Sequence, residues 1–103
     1  MRVIKLYIAL PKTTEAQVIG KQVLRSGTSV GAHYRESCRA KSNADFISKI
    51  EGALQELDET CYWLELIHEA QIFNKERIQP LLFEAEKLIE ILVTIVKQVK
   101  SQR

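Results

Sequence analysis

Glu65-Leu-Ile-His68 sets a carboxylate and an imidazole three residues apart, a spacing that brings both to one face of a helix. Carboxylate-bridged di-metal centres in helical bundles need two such Glu-x-x-His pairs and further glutamates on the other helices. His33 has Val30 at the corresponding position, so the second pair is missing. Neither metal nor cofactor is expected, and both histidines read as ordinary hydrogen-bonded residues at a helix surface or subunit boundary. Cys38 and Cys61 fall within helical patterns at wide spacing. Buried, reduced thiols fit that spacing better than a disulfide framework. Ser26, Thr28 and Ser29 lie within a helix with no base beside them, so Gly27-Thr-Ser-Val-Gly31 forms no GxSxG elbow, and the GxxxxGK[ST] and CxxC motifs are absent. The residues give no support for an enzyme.

A second chemistry is more extensive. Between Gly20 and Lys41 a row of cations, Lys21, Arg25, Arg35 and Arg39 with Lys41 just beyond, shares a helix with the smaller residues Thr28 and Ala32. At 1.5 Å per residue the row from Lys21 to Arg39 spans roughly 27 Å, enough to follow several phosphates of RNA or DNA. The same row would also serve as a solvated face whose cations pair with acids on a neighbouring helix. Beside it runs Gly20, Leu24, Gly27, Gly31, Tyr34 and Cys38. Glycine costs about 1 kcal/mol against alanine inside a helix, so Gly20, Gly27 and Gly31 are expected to form a seam against which another helix packs closely. Gly27-Thr-Ser-Val-Gly31 fits the GxxxG pattern of membrane helix pairs, but Lys21, Arg25 and Arg35 exclude a membrane span here. Tyr62 and Trp63 could stack on bases, yet Asp58, Glu59 and Glu65 surround them and would repel a phosphate chain. Core or subunit contacts suit them better.

These residues need helices to position them, and the sequence supplies four. Val3, Ile4, Leu6, Tyr7 and Leu10 repeat at helical spacing, and Pro11 ends that segment after about ten residues. So short a helix must be held by packing and cannot cover partners of several times its length. An upstream segment or another subunit would have to fill the gap. Thr14-Glu-Ala-Gln17 fits a capping box that starts a second helix running to about Lys41. Ser42, with Asp45 three residues on, opens a third helix from about Asn43 to Ala70. Its core stripe is Phe46, Ile50, Ala53, Leu57, Leu64 and Ile67, widened by Ile47, Leu54 and Cys61, and its outer side carries Glu51, Gln55, Asp58, Tyr62, Glu65 and Glu69. Asn74 caps a fourth helix, with Phe73 and Ile78 placed as a hydrophobic staple. Pro80 predicts a kink, or a start nearer that residue. From Leu81 the pattern Leu81, Ala85, Leu88, Leu92, Ile95 and Val99 continues to the end.

The expected fold is therefore all-α, a single domain over residues 1–103 forming an antiparallel up-and-down four-helix bundle with a shortened first helix. Composition agrees: 46% of residues are hydrophobic and 27% charged, with only four glycines and two prolines. The net charge of +2 conceals an asymmetry. Residues 1–41 carry eight Lys or Arg against two acids, and residues 42–103 carry seven against eleven. That suits nucleic acid on the basic half, or complementary faces meeting within or between subunits. The N-terminal segment is too short and too charged for a signal-peptide core, and no apolar run approaches ~20 residues. A cytoplasmic protein is expected.

The stretch from Leu10 to Leu66 resembles the four-helix-bundle proteins known as 23S rRNA intervening-sequence proteins. The resemblance is carried by Leu10-Pro11, by Gln22-Val-Leu-Arg-Ser-Gly-Thr-Ser-Val30, by Arg39-Ala-Lys-Ser42 and by Asp45-Phe46. It implies an up-and-down bundle that assembles as a homopentamer. It further implies a likeness to the accessory variability proteins of diversity-generating retroelements, pentameric bundles that bind nucleic acid and a reverse transcriptase. Family members with Asn at the end of the helix-two core differ from this chain, which has His33 there and Glu36-Ser37 in place of a following Glu-Gly.

Overall fold

The computed structural model describes residues 2–102 and consists of α1 (Val3–Ala9), α2 (Thr14–Ser37), α3 (Asn43–Glu69) and α4 (Lys75–Ser101). Consecutive helices pack side by side. Their contacts fix the directions: Leu10 meets Gly20 and Val3 meets Gly27, Arg25 pairs with Glu56 while Glu36 pairs with Lys49 nearer the start of α3, and Lys100 at the end of α4 reaches Glu51. Residue numbers rise on one helix as they fall on the next, which is an antiparallel up-and-down bundle. Its long axis is 49 Å against 20 and 16 Å across.

Local chemistry explains the helix ends. Thr13, one residue before the expected cap, accepts from the Ala16 N–H through its hydroxyl and starts α2. Gln17 does not complete a capping box. Its amide donates to the Pro11 carbonyl at 2.9 Å and accepts from the Tyr7 hydroxyl at 3.3 Å, locking the α1–α2 turn. α2 stops at Ser37, short of Lys41, so Arg39 and Lys41 stand in the turn and not on the helix. Ser42 caps α3 by accepting from the Asp45 N–H at 3.1 Å, and the Asp45 carboxylate accepts in return from the Lys41 N–H at 3.2 Å. α3 closes with Gln71 at φ 59° and the Ile72 N–H bonded to the Ile67 carbonyl, a Schellman-type ending with glutamine where glycine is commonest. Asn74 caps α4 as expected, accepting from the Arg77 N–H at 3.0 Å. The helix runs unbroken through Pro80 and begins at Lys75, not nearer the proline.

The core falls into two parts along the axis. Near α1 it comprises Val3, Leu6, Leu10, Val23, Leu64, Ile67, Ile78 and Leu81, drawn from all four helices. Toward the other end it comprises Val30, Ile47, Ile50, Ala53, Leu57, Ala85, Leu92 and Val96, drawn from α2, α3 and α4 alone. One half is thus a four-helix bundle and the other a three-helix bundle. Leu88, Ile95 and Val99, expected in the stripe of α4, are half-buried because no fourth helix covers them.

Candidate functional site

The basic row of α2 divides according to what stands beside each cation. Arg25 is tied to α3 across the surface: its guanidinium bonds Glu56 at 3.1 Å and also pairs with Glu59, while Nε donates to Gln22 at 3.1 Å. Between the same two helices, the buried Thr60 and Ser26 hydroxyls are hydrogen-bonded at 2.7 Å, and Thr60 Oγ1 lies 2.8 Å from the Glu56 carbonyl. Ser26 passes its own proton toward the Val23 carbonyl at 3.4 Å. Arg25 and this hydroxyl chain together fix the register of α2 on α3. Glu56 and Glu59 lie next to the acidic positions picked out by periodicity, and helix-to-helix register is what selects them.

Lys21, Arg35, Arg39 and Lys41 are exposed, and among the described residues none of the four has an ion-pair partner. Their only neighbouring acid on the last turn of α2, Glu36, is engaged by Lys49 at 3.2 Å. Residues 16–35 contain no carboxylate at all. Over residues 16–35 the outer face of α2 therefore presents Lys21 and Arg35 with no acid of its own, and Arg39 and Lys41 follow in the turn, where the Asp45 carboxylate accepts from the Lys41 N–H.

The glycine seam also divides. A methyl group on Gly20 would lie 2.2 Å from Leu10 Cδ1, and one on Gly27 would lie 2.8 Å from Val3 Cγ1, so both positions are close approaches of α1. Gly31 differs from that expectation. It is exposed, and a methyl group there would meet nothing within 4 Å, because α1 begins only at Val3 and does not extend over it. The result is a groove of about 500 Å³ lined by Gly27, Val30, Gly31 and Tyr34 of α2, Leu88, Ile91, Leu92 and Ile95 of α4, and the first turn of α1. Ile4, Tyr34 and Ile91 on its walls are 57%, 49% and 54% exposed.

The remaining candidates are dispersed. His33 is not an ordinary hydrogen-bonded surface histidine: its ring packs on the backbone at Gly52, and its buried Nδ1 has no partner among the described residues. Glu65 and His68 are both exposed, and no group of three or more His, Cys, Asp or Glu among the described residues is placed to hold a metal ion. Cys38 is exposed, against expectation, since it falls just past the end of α2. Cys61 is half-buried, and burial together with Glu86, Asp58 and Glu65 pushes its thiol up to about 11, leaving it protonated at neutral pH. Trp63 packs beside the core near α1 and donates to Glu59 at 3.5 Å, while Tyr62 lies edge-on to it and faces solvent.

Four antiparallel helices with short connections and an apolar centre define a small helical-bundle protein of the up-and-down class. The chain belongs to the 23S rRNA-intervening sequence protein family, whose model matches residues 1–94. It is similar to a crystal structure of a protein of unknown function from the S23 ribosomal protein family of Bacteroides thetaiotaomicron, with 40% identity and a TM-score of 0.88, over 93% of this chain and 89% of that one. No curated protein matches the chain. No helix among the described residues is long and apolar enough to cross a membrane.

Proposed function

We propose that this protein is a non-enzymatic bundle that binds the phosphate backbone of RNA or DNA through the outer face of α2, using Lys21, Arg35, Arg39 and Lys41. The observation that carries this reading is the division of the row. Arg25 is neutralised by Glu56 and Glu59, whereas the other four cations are exposed and have no ion-pair partner among the described residues. Lys21 and Arg35 stand roughly 21 Å apart along the helix, a spacing that suits several phosphates of one strand or groove edge. Assembly of several copies, and a protein partner such as a reverse transcriptase, belong to the same reading through the family likeness. A ring of copies would repeat the cationic face and multiply its avidity.

Fluorescence anisotropy with labelled single- and double-stranded oligonucleotides tests it. Arg35→Ala/Arg39→Ala should lower affinity about tenfold and flatten the dependence of log K on log salt by roughly 1–2 units, as two counterion-releasing contacts disappear. Arg25→Ala should leave affinity within about twofold. A parent protein that binds neither oligonucleotide, or a double variant indistinguishable from it, removes the proposal.

A further inference from the structure

A second cavity, of about 240 Å³, lies alongside α1 between that helix and the first turns of α4. Arg2, Lys5 and Leu6 line it from one side, and Arg77, Pro80 and Leu81 from the other. Within each group the second residue is three on and the third four on from the first, the spacing that gathers side chains on one face of a helix. Leu6 and Leu81 are buried in the same part of the core, which draws α1 and α4 together and gives the cavity an apolar floor. Its remaining polar side chains are three cations, and no carboxylate is among the described residues that line it.

The three cations differ in what already engages them. Arg2 Nε lies 3.7 Å from the Glu84 carboxylate, a contact between two solvent-accessible side chains and therefore a screened one. The Arg77 guanidinium sits 4.1 Å from the centre of the Phe73 ring, which holds its plane in place without cancelling its charge. Lys5 is exposed, and neither Lys5 nor Arg77 has an ion-pair partner among the described residues. Like charges around a cleft with an apolar floor focus a positive potential into it, and an anion seated among them relieves their repulsion. Arginine forks match the oxygens of a phosphate, and lysine adds a point charge. Three cations suit more than one negative charge, and a phosphate monoester carries about −1.5 to −2 at neutral pH. The cavity is small beside the roughly 300–1,000 Å³ of sites for drug-sized ligands, so the organic part must be small too. From these features we infer that the α1–α4 cleft binds a small phosphate monoester, its phosphate among Arg2, Lys5 and Arg77 and its apolar part against Leu6, Pro80 and Leu81. No residue of α2 lines this cleft, so it is separate from the cationic face of that helix.

The test titrates phenyl phosphate into the full chain, followed by calorimetry and by amide chemical shifts, with inorganic phosphate and benzenesulfonate as comparisons. Phenyl phosphate should saturate with a Kd of about 1 mM or tighter. It should bind roughly fivefold or more tightly than inorganic phosphate, which has no apolar part, and than benzenesulfonate, which has one charge. Lys5→Ala and Arg77→Ala, both at exposed positions, should each weaken it roughly fivefold, and Lys97→Ala, toward the other end of α4, should leave it unchanged. Should either cleft variant not fold, the shifts of the parent decide: changes centred on Lys5, Leu6, Arg77 and Leu81 support the site, and changes centred elsewhere overturn it. Absence of saturation overturns it, as does an equal loss in Lys97→Ala. Inorganic phosphate binding as tightly as the ester would make this a site for free phosphate, and benzenesulfonate binding as tightly would make it a mere patch of charge; either result overturns the assignment. No oligonucleotide enters these titrations, so this inference and the phosphate-backbone reading of α2 fail independently.

Discussion

Gly27 and Gly31 lie one helical turn apart on the same side of α2 and differ in everything except their type. Gly27 is buried beneath Val3, and Gly31 faces an open groove. The same contrast runs through the molecule: four helices enclose the core near α1, and three enclose it beyond. A glycine pattern in a sequence thus records a close approach only where the neighbouring element is long enough to arrive. On the half that lacks a cover, the exposed side chains of Tyr34 and Ile91 line the groove.

The difference between the halves can be broken most forcefully at α1. Leu6→Ala removes a buried side chain from the four-helix half and should cost about 3 kcal/mol, whereas Ile91→Ala on the open half should stay within about 0.5 kcal/mol. Urea unfolding followed by circular dichroism compares them directly, and similar losses would mean that the groove is closed in solution. A smaller effect is expected at the α2–α3 contact. Thr60→Val removes the hydroxyl bonded to buried Ser26 and should cost about 1–2 kcal/mol. Arg25→Ala should cost only about 0.5–1 kcal/mol, since its side chain is nearly half exposed and its ion pairs are screened.

The thiols sharpen the contrast between exposed and packed positions without large energies. A water-soluble thiol reagent should modify Cys38 rapidly and leave Cys61 protected until the protein unfolds. Because folding raises the Cys61 thiol from 9.0 to about 11, its contribution to stability is complete below pH 9 and is lost as pH rises toward 11. A Cys61→Ala variant should show a shallower decline in stability across that window than the parent. Equal declines would place the alkaline sensitivity elsewhere.

Much of the fold was legible because caps and periodicity are local. Ser42 and Asn74 cap the helices that follow them, and of the stripe Phe46, Ile50, Ala53, Leu57, Leu64 and Ile67 all but the half-buried Phe46 are buried. Thr13 replaces Thr14 as the cap of α2 because two adjacent threonines offer the same hydroxyl, and the α1–α2 turn claims Gln17 for itself. The site was only half legible. Counting cations identifies Lys21, Arg25, Arg35, Arg39 and Lys41, but which of them is neutralised depends on the register of α2 against α3, set by Ser26 and Thr60. Neither partner of Arg25 stands out in the sequence, since Glu56 and Glu59 are two acids among many. For Gly31 the missing information was the reach of α1, a property of its neighbour and not of the row itself.

The division of the bundle requires that the distal half of α2 be open, and a matched pair of substitutions tests this most directly. Thermal and urea unfolding of Gly27→Ala and Gly31→Ala should shift stability in opposite directions. Gly31→Ala should add about 1 kcal/mol from helix propensity alone, because its methyl group meets nothing. Gly27→Ala should lose roughly 1–2 kcal/mol, because its methyl group would press on the branched Val3 side chain and push back the first turn of α1. Two substitutions that both stabilise, or both destabilise, would contradict the division of the bundle into a covered and an open half.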